Sequence, residues 1–324
     1  MQLLFNRLNQ KIKEADTILF VSHRNPDPDT LGSALAIGSY AESMGKKTGY
    51  FCLDKIPDNF SFISESKKFT DSIDIFLGAY DLVIFVDCSE LRRCGIEDIL
   101  KYKKQTWAVV DHHLNKQKDA DIVIRDNRAG ANCEIVYDFL KFIDFFITPD
   151  IATALLSGLL IDTNFLSNAA ATEKSVSIAS SLLSLGADYR RIVKFFYTNK
   201  NPEILRVWGI ALSRLKLNKE KNIASTAIFI NDISSDYDAV YEALEGLSNF
   251  LNAILNADII LVLKEVDGGA KGSFRSNNDN FDVAEIASQY GGGGHKRAAG
   301  FFVAGGQIVE GDNEWRIEER LTFK

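Results

Sequence analysis

Residues 17–44 read TILFVSHRNPDPDTLGSALAIGSYAESM. Thr17–Ser22 is a short apolar run, rich in β-branched side chains, that stops at His23; such a run bounded by a loop predicts a buried strand. Leu31–Met44, rich in Ala and Leu, predicts a helix. The pattern then recurs. Lys47–Cys52 is a further short strand candidate, Asp81–Val86 ends at Asp87, Trp107–Val110 ends at Asp111, and Asp121–Ile124 follows. Helices are expected at 31–44, 130–142, 150–161 and 173–185. Strands alternating with helices imply the α/β class with a parallel sheet. Open sheets of that kind gather ligands beyond the carboxyl ends of their strands. His23, Asp87 and Asp111 all fall at that edge.

Gly186-Ala187-Asp188 ends a helix. A charged helical stretch over 189–217, interrupted at Asn201-Pro202, reads as a connector. A second α/β unit follows, with strands expected at Ile223–Ile230, Asp258–Glu265, Gly272–Arg275 and 301–303 and helices at Tyr237–Leu251 and Asp282–Gln289. The domains expected are therefore 1–188, 189–217 and 218–324. The charged tail Glu310–Lys324 is expected at the surface.

The chain has 324 residues, which sets a prior of about two domains. With 46% hydrophobic and 25% charged residues it has the balance of a globular protein able to bury sizeable cores. A net charge of −7 gives no global basic field to hold a long polyanion, so short anionic substrates are favoured. Cys52, Cys88, Cys94 and Cys133 form no Cys-x-x-Cys pair, and so few cysteines do not suggest a disulfide scaffold; a reducing cytoplasm is the simplest expectation. The charged start, Met1–Lys13, is unlike a secretory signal, and no apolar run is long enough for a membrane span.

All four histidines sit in acidic or glycine-rich motifs. The first motif is His23-x-Asn25-Pro26-Asp27-Pro28-Asp29. The prolines stiffen the loop. Asp27 and Asp29, two apart, would face the same way in extended geometry and could not both stay ionised without a compensating cation. The plain alternative is a turn with solvated aspartates, or a cap for the next helix. Asp87, after a buried strand, is either a turn cap or a carboxylate able to bridge two metals. In Asp111-His112-His113 one imidazole can bind a metal and the other can donate to a phosphate oxygen, with Asp111 orienting a ring through its second nitrogen; the alternative is a pair of exposed loop histidines. Asp162 closes an apolar helix, where the dipole prefers a cation. Far along the chain, Arg275-Ser276 and the run Gly291–Gly294 before His295 offer a guanidinium fork and backbone amides for an anion. A flexible linker is the alternative there.

Together these motifs resemble the DHH phosphoesterase family with its DHH-associated C-terminal domain, over about Thr17–Val303. The two-domain layout is similar to the NrnA-type nanoRNases and pAp phosphatases. The resemblance implies a parallel-sheet catalytic domain, a helical linker and a smaller substrate-binding α/β domain, with the active site in the cleft between them. It also implies two manganese ions, with Mg2+ or Co2+ as substitutes. His23, Asp27 and Asp87 would hold one; Asp29, Asp87, His112 and Asp162 the other. His113 would act at the scissile phosphate or the leaving oxygen, with Asp111 and Asn25 behind these ligands. Arg275, Ser276, Gly292, Gly293, Gly294 and His295 would grip the substrate. The implied reaction is hydrolysis of very short RNA or small nucleotides such as pApA, pGpG and pAp by two-metal activation of water. Neither long duplex nucleic acid nor a membrane is an expected partner, and a homodimer is left open. Three other readings stay open: a RecJ-like single-strand exonuclease, a pyrophosphatase or polyphosphatase, and a silent nucleotide-binding module. The first would need a basic strand groove, and the last would show missing metal ligands.

Overall fold

A computed structural model describes residues 1–88, 90–97, 105–113, 120–168, 170–198, 202–233 and 245–319. The chain forms two compact units, Met1–Thr198 and Asn199–Lys324.

The first unit opens with helix α1 (Gln2–Glu14), which the polar start of the chain did not suggest; it buries Phe5, Leu8 and Ile12. Then come β1 (Thr17–Val21), α2 (Pro28–Ser43), β2 (Lys47–Phe51), β3 (Phe69–Thr70) and β4 (Leu82–Val86). The short α3 (Leu91–Cys94), β5 (Thr106–Asp111) and β6 (Ile122–Arg125) follow, and four helices complete the unit: α4 (Asn132–Phe142), α5 (Pro149–Asp162), α6 (Glu173–Ser184) and α7 (Tyr189–Thr198).

The strands form one sheet in the order β3-β2-β1-β4-β5-β6, and every pairing is parallel. From β1 the chain builds outward to β3, then returns to lay β4 against the other side of β1. The crevice at such a reversal, beyond the carboxyl ends of the strands, is where open α/β sheets bind ligands. Alternate strand residues serve opposite layers. Ile18, Phe20, Ile84, Val86, Ala108 and Val110 pack in one layer with α1, α2 and α4–α6. Leu19, Val21, Val83, Phe85, Trp107 and Val109 form the other. Burying each large side chain is worth about 1.5–3 kcal/mol, so register is strongly fixed at the strand ends that carry His23, Asp87 and Asp111.

Helix starts follow local chemistry. Asp27 caps α2, accepting from Asp29 N and Thr30 N, with Pro28 at the first helical position. Thr148 and Pro149 do the same for α5, and Thr172 with Ser175 forms a capping box for α6.

The second unit contains α8 (Pro202–Ser213), β7 (Lys216–Asn218), β8 (Ile223–Ile228), α9 (Glu245–Ile254), β9 (Ile259–Val266), β10 (Gly269–Arg275), α10 (Val283–Ser288), β11 (Gly293–His295) and β12 (Ala298–Ala304). Its sheet is mixed, in the order β11-β12-β10-β9-β8-β7, with β8 and β9 parallel. The stretch 189–217, expected as a connector, is divided between the two units. The expected helix at 237–251 is described only from Glu245. The described part of the tail lies mostly at the surface, as expected, but it is ordered: β13 (Gly306–Glu310) and β14 (Trp315–Glu319) form an antiparallel hairpin. Trp315 is buried, and its Nε1 donates to Arg214 O at 2.8 Å. Among the described residues no helix is long and apolar enough to cross a membrane.

Candidate metal centre

Three loops at the carboxyl ends of β1, β4 and β5 and the last residue of α5 converge. His23 Nε2 lies 3.2 Å from Asp87 Oδ2 and 3.7 Å from Asp27 Oδ2. His112 Nε2 lies 3.4 Å from Asp87 Oδ1, 3.4 Å from Asp162 Oδ2 and 4.0 Å from Asp29 Oδ2. Two trios with cation-binding spacing result, His23–Asp27–Asp87 and Asp29–His112–Asp162; a third, Asp87–His112–His113, brings in the second histidine of the pair.

Each side chain is held from behind. His23 Nδ1 faces Arg24 O at 2.6 Å and His112 Nδ1 faces Ala129 O at 3.3 Å. A carbonyl there fixes the proton on Nδ1 and turns the Nε2 lone pair toward the carboxylates. Asp111 Oδ1 sits 2.8 Å from His113 Nδ1 and accepts from His113 N at 3.1 Å. Asp29 is not extended beside Asp27, as the two-residue spacing suggested; it lies in the first turn of α2. Its two oxygens accept from Asn132 N (2.7 Å) and Cys133 N (2.8 Å). Those are amides of the first turn of α4, which has no side-chain cap of its own. A carboxylate from elsewhere thus satisfies its open donors and its dipole. Asn25, in the left-handed region at φ 51°, donates its amide to Asp54 Oδ2 at 2.9 Å, while Arg24 pairs with the same carboxylate. Asp54 was not picked out from sequence; it lies 31 residues downstream of His23 with no motif around it.

The electrostatics show what the cluster lacks. Burial pushes Asp27 and Asp29 up, Asp29 to about 7, with Asp87 adding repulsion. Burial and then Asp29 hold Asp162 well above the usual range. Burial also works against charge on Asp87, but the facing imidazoles of His112, His113 and His23 hold it well below that range. Burial likewise opposes charge on the imidazoles. Asp87 chiefly outweighs it at His23 and His112, pushed up to about 9 and about 11, and Asp111 chiefly at His113, up to about 9. Without a cation, protons must balance the carboxylates.

The donor set fits divalent cations. Asp87 Oδ1 and His112 Nε2 are buried with no hydrogen-bond partner, a cost of about 1–3 kcal/mol each unless something fills the role. Mixed imidazole and carboxylate suits hard or borderline metals. Bonds of about 2.0–2.2 Å to a shared ion would put adjacent ligand atoms roughly 3–3.5 Å apart, close to the separations of 3.2–3.4 Å seen here.

The remaining sequence candidates lie in the second unit and group around Ala298. Arg275 and His295 are each in register with Ala298, from opposite sides of β12. Arg275 Nε donates to Asn249 Oδ1 at 2.7 Å. Ser276 is buried, and its hydroxyl donates to Asp258 O at 2.7 Å. Gly292 and Gly294 lie so close to β12 that a Cβ would meet Gly300 O at 2.2 Å and Ala298 O at 2.5 Å, whereas Gly293 faces open space.

Residues 17–159 match the DHH family, N-terminal domain, and residues 220–310 match the DHHA1 domain. The chain is 26% identical over 307 residues to the probable bifunctional oligoribonuclease and PAP phosphatase NrnA of Streptococcus mutans, covering 91% of this chain and 92% of that one. It is 24% identical to the NrnA of Thermus thermophilus, covering 89% and 84%. An exopolyphosphatase-related protein from Bacteroides fragilis superposes with a TM-score of 0.84 at 25% identity, covering 93% of this chain and 91% of that one.

Proposed function

Because the chain belongs to the DHH family of phosphoesterases, with a DHHA1 domain after the DHH domain, we propose that it is a manganese-dependent phosphodiesterase. Its substrates would be very short oligoribonucleotides, linear dinucleotides such as pApA and pGpG, and pAp, in the cytoplasm. The observation that carries this reading is the carboxylate of Asp87, whose two oxygens face His23 on one side and His112 on the other.

His23, Asp27 and Asp87 would hold one cation, and Asp29, Asp87, His112 and Asp162 the second. Bound there, two divalent ions would lower the pKa of a shared water and offset charge on the phosphoryl oxygens. The protein's own work is orientation and proton handling. The α4 amides fix Asp29, and the carbonyls behind His23 and His112 fix their tautomers. His113, held by Asp111, gives a proton to the departing oxygen. Asn25 shapes the loop that carries His23 and Asp27. In the second unit Arg275 and His295, beside the run Gly292-Gly293-Gly294 whose first amide is already given to Ala287 O, grip the terminal phosphate, and Ser276 anchors the strand end through its hydroxyl on Asp258 O. The relatives named oligoribonuclease and PAP phosphatase support this substrate class.

The test is a product-resolved assay on pAp, pApA, pGpG, longer RNA and pyrophosphate, with and without Mn2+. Manganese-dependent cleavage that falls with strand length is expected. Faster cleavage of long strands, or turnover of pyrophosphate alone, would overturn the substrate assignment.

A further inference from the structure

We propose that Arg125 is a positioning residue for the Asp111–His113 pair, acting through the carboxylate oxygen that does not face His113. The proposal rests on the reading of His113 as the group at the leaving oxygen.

Arg125 ends β6, the outermost strand at that edge of the sheet, and its Cα is the register partner of Asp111. In-register neighbours of a parallel pair present their side chains to the same face. Ala108, Val110, Ile122 and Ile124 belong to the helix-covered layer. By alternation Asp111 and Arg125 stand together on the opposite face, with Trp107 and Val109. Asp111 commits Oδ1 to His113, and its Oδ2 is buried with no partner. The Nε and Nη2 of Arg125 are also buried with no partner. Two unpaired donors on one strand thus stand beside an unpaired anionic acceptor on the next. The two groups are not in direct ion-pair contact; the link proposed is a rotation of the guanidinium toward Asp111 Oδ2, or one bridging water between them. The link stops the carboxylate from turning, and a carboxylate that cannot turn holds the imidazole ring. Nothing in the sequence marked Arg125, since a charged residue closing a short strand reads as a solvated end.

The experiment uses the full chain with Mn2+ and pAp, in four variants: Arg125→Met, Arg125→Lys, Asp111→Asn and Arg125→Met with Asp111→Asn. Loss of orientation should cost part of the general-acid contribution, about tenfold or more in kcat. KM should move much less, and lysine should recover part of the loss. The double variant should be no slower than Asp111→Asn alone, because the two residues act as one unit. Independently of activity, the Nδ1 proton of His113 should give a far-downfield NMR resonance in the wild type that is lost in Arg125→Met. Losses that multiply in the double variant, a raised KM at unchanged kcat, or an unaltered His113 resonance would overturn the proposal. If Arg125→Met fails to fold, the Lys variant and the same resonance decide. A wild type without turnover sinks the hydrolase reading, while the resonance still judges Arg125.

Discussion

Asp87 carries the most of any single residue. It follows a fully buried strand, its carboxylate is 2% exposed, and its backbone sits in the left-handed region at φ 53°. A non-glycine residue held there costs about 1–3 kcal/mol, and such strain persists where surrounding structure demands it. Here the turn aims both carboxylate oxygens into the crevice between β1 and β5. Asp87→Asn preserves shape and tolerates the same φ, yet it removes the bridging charge. Turnover should fall by at least about 10³-fold, the scale of losing a preorganised charged group. The metal-free protein should melt lower than wild type, because the charged Asp87 carboxylate is held below its usual range by the imidazoles of His112, His113 and His23 and that stabilisation is lost with the charge. Steady-state rates with a melting curve check both, and turnover within tenfold of wild type would refute the bridging role. Residue type and strand-end position made His23, Asp87 and Asp111 legible. What sequence could not give were partners brought by tertiary contact: Asp54 behind Asn25, the α4 amides behind Asp29, and Ala129 O behind His112.

Among the elements, α2, α4 and α5 form the floor of the centre, and their close approach explains two small residues. A Cβ on Gly32 would meet Ala154 O at 2.6 Å. A Cβ on Gly158 would meet Asp29 Cα and Cys133 Sγ, both at 2.6 Å. Alanine in a helix gains about 1 kcal/mol over glycine, but overpacking costs about 1–3 kcal/mol. Backbone atoms cannot step aside, so the clash wins. Gly158→Ala should destabilise the first unit by up to about 2 kcal/mol and weaken metal binding by displacing Asp29, as read by calorimetry and Mn2+ titration. Unchanged stability and affinity would mean that α2 and α5 separate more easily than their packing indicates. At this scale β1, β2, β4, β5 and β6 were readable within a residue, since apolar runs leave local marks, whereas the two-residue β3 was not, and of the helix caps only that of α2 was legible, as the alternative reading of the Asp27 loop. The β13–β14 hairpin was not. Trp315, Arg316, Ile317 and Glu318 alternate buried and outward, but so short a period disappears among the charges of Glu310–Lys324.

At the scale of the whole chain, each unit has its own buried clusters, so the two should answer to different variables. The groups that could hold a cation, among the described residues, all belong to the first unit. A ligand at a hundred times its dissociation constant stabilises by about 2.7 kcal/mol, which for a unit of this size moves Tm by roughly 5–10 °C. Saturating Mn2+ should therefore raise one transition in a calorimetric scan, and a chelator should return it. The second unit should respond to acid but not to metal. Asp232 is held below its usual range: burial opposes the charge, but paired hydrogen bonds from Arg214 outweigh it. A depressed folded pKa gives stability that is full above the unfolded carboxylate value of about 3.9 and is lost as pH falls through the lower folded value. Acidification below about pH 4 should lower the second transition with a slope that Asp232→Asn reduces, Glu314 supplying part of the remainder, while Mn2+ at neutral pH leaves that transition in place. If one merged transition shifted as a whole with metal, the units would be thermodynamically coupled, and stabilisation at the cation centre would extend to the strands that carry Arg275 and His295.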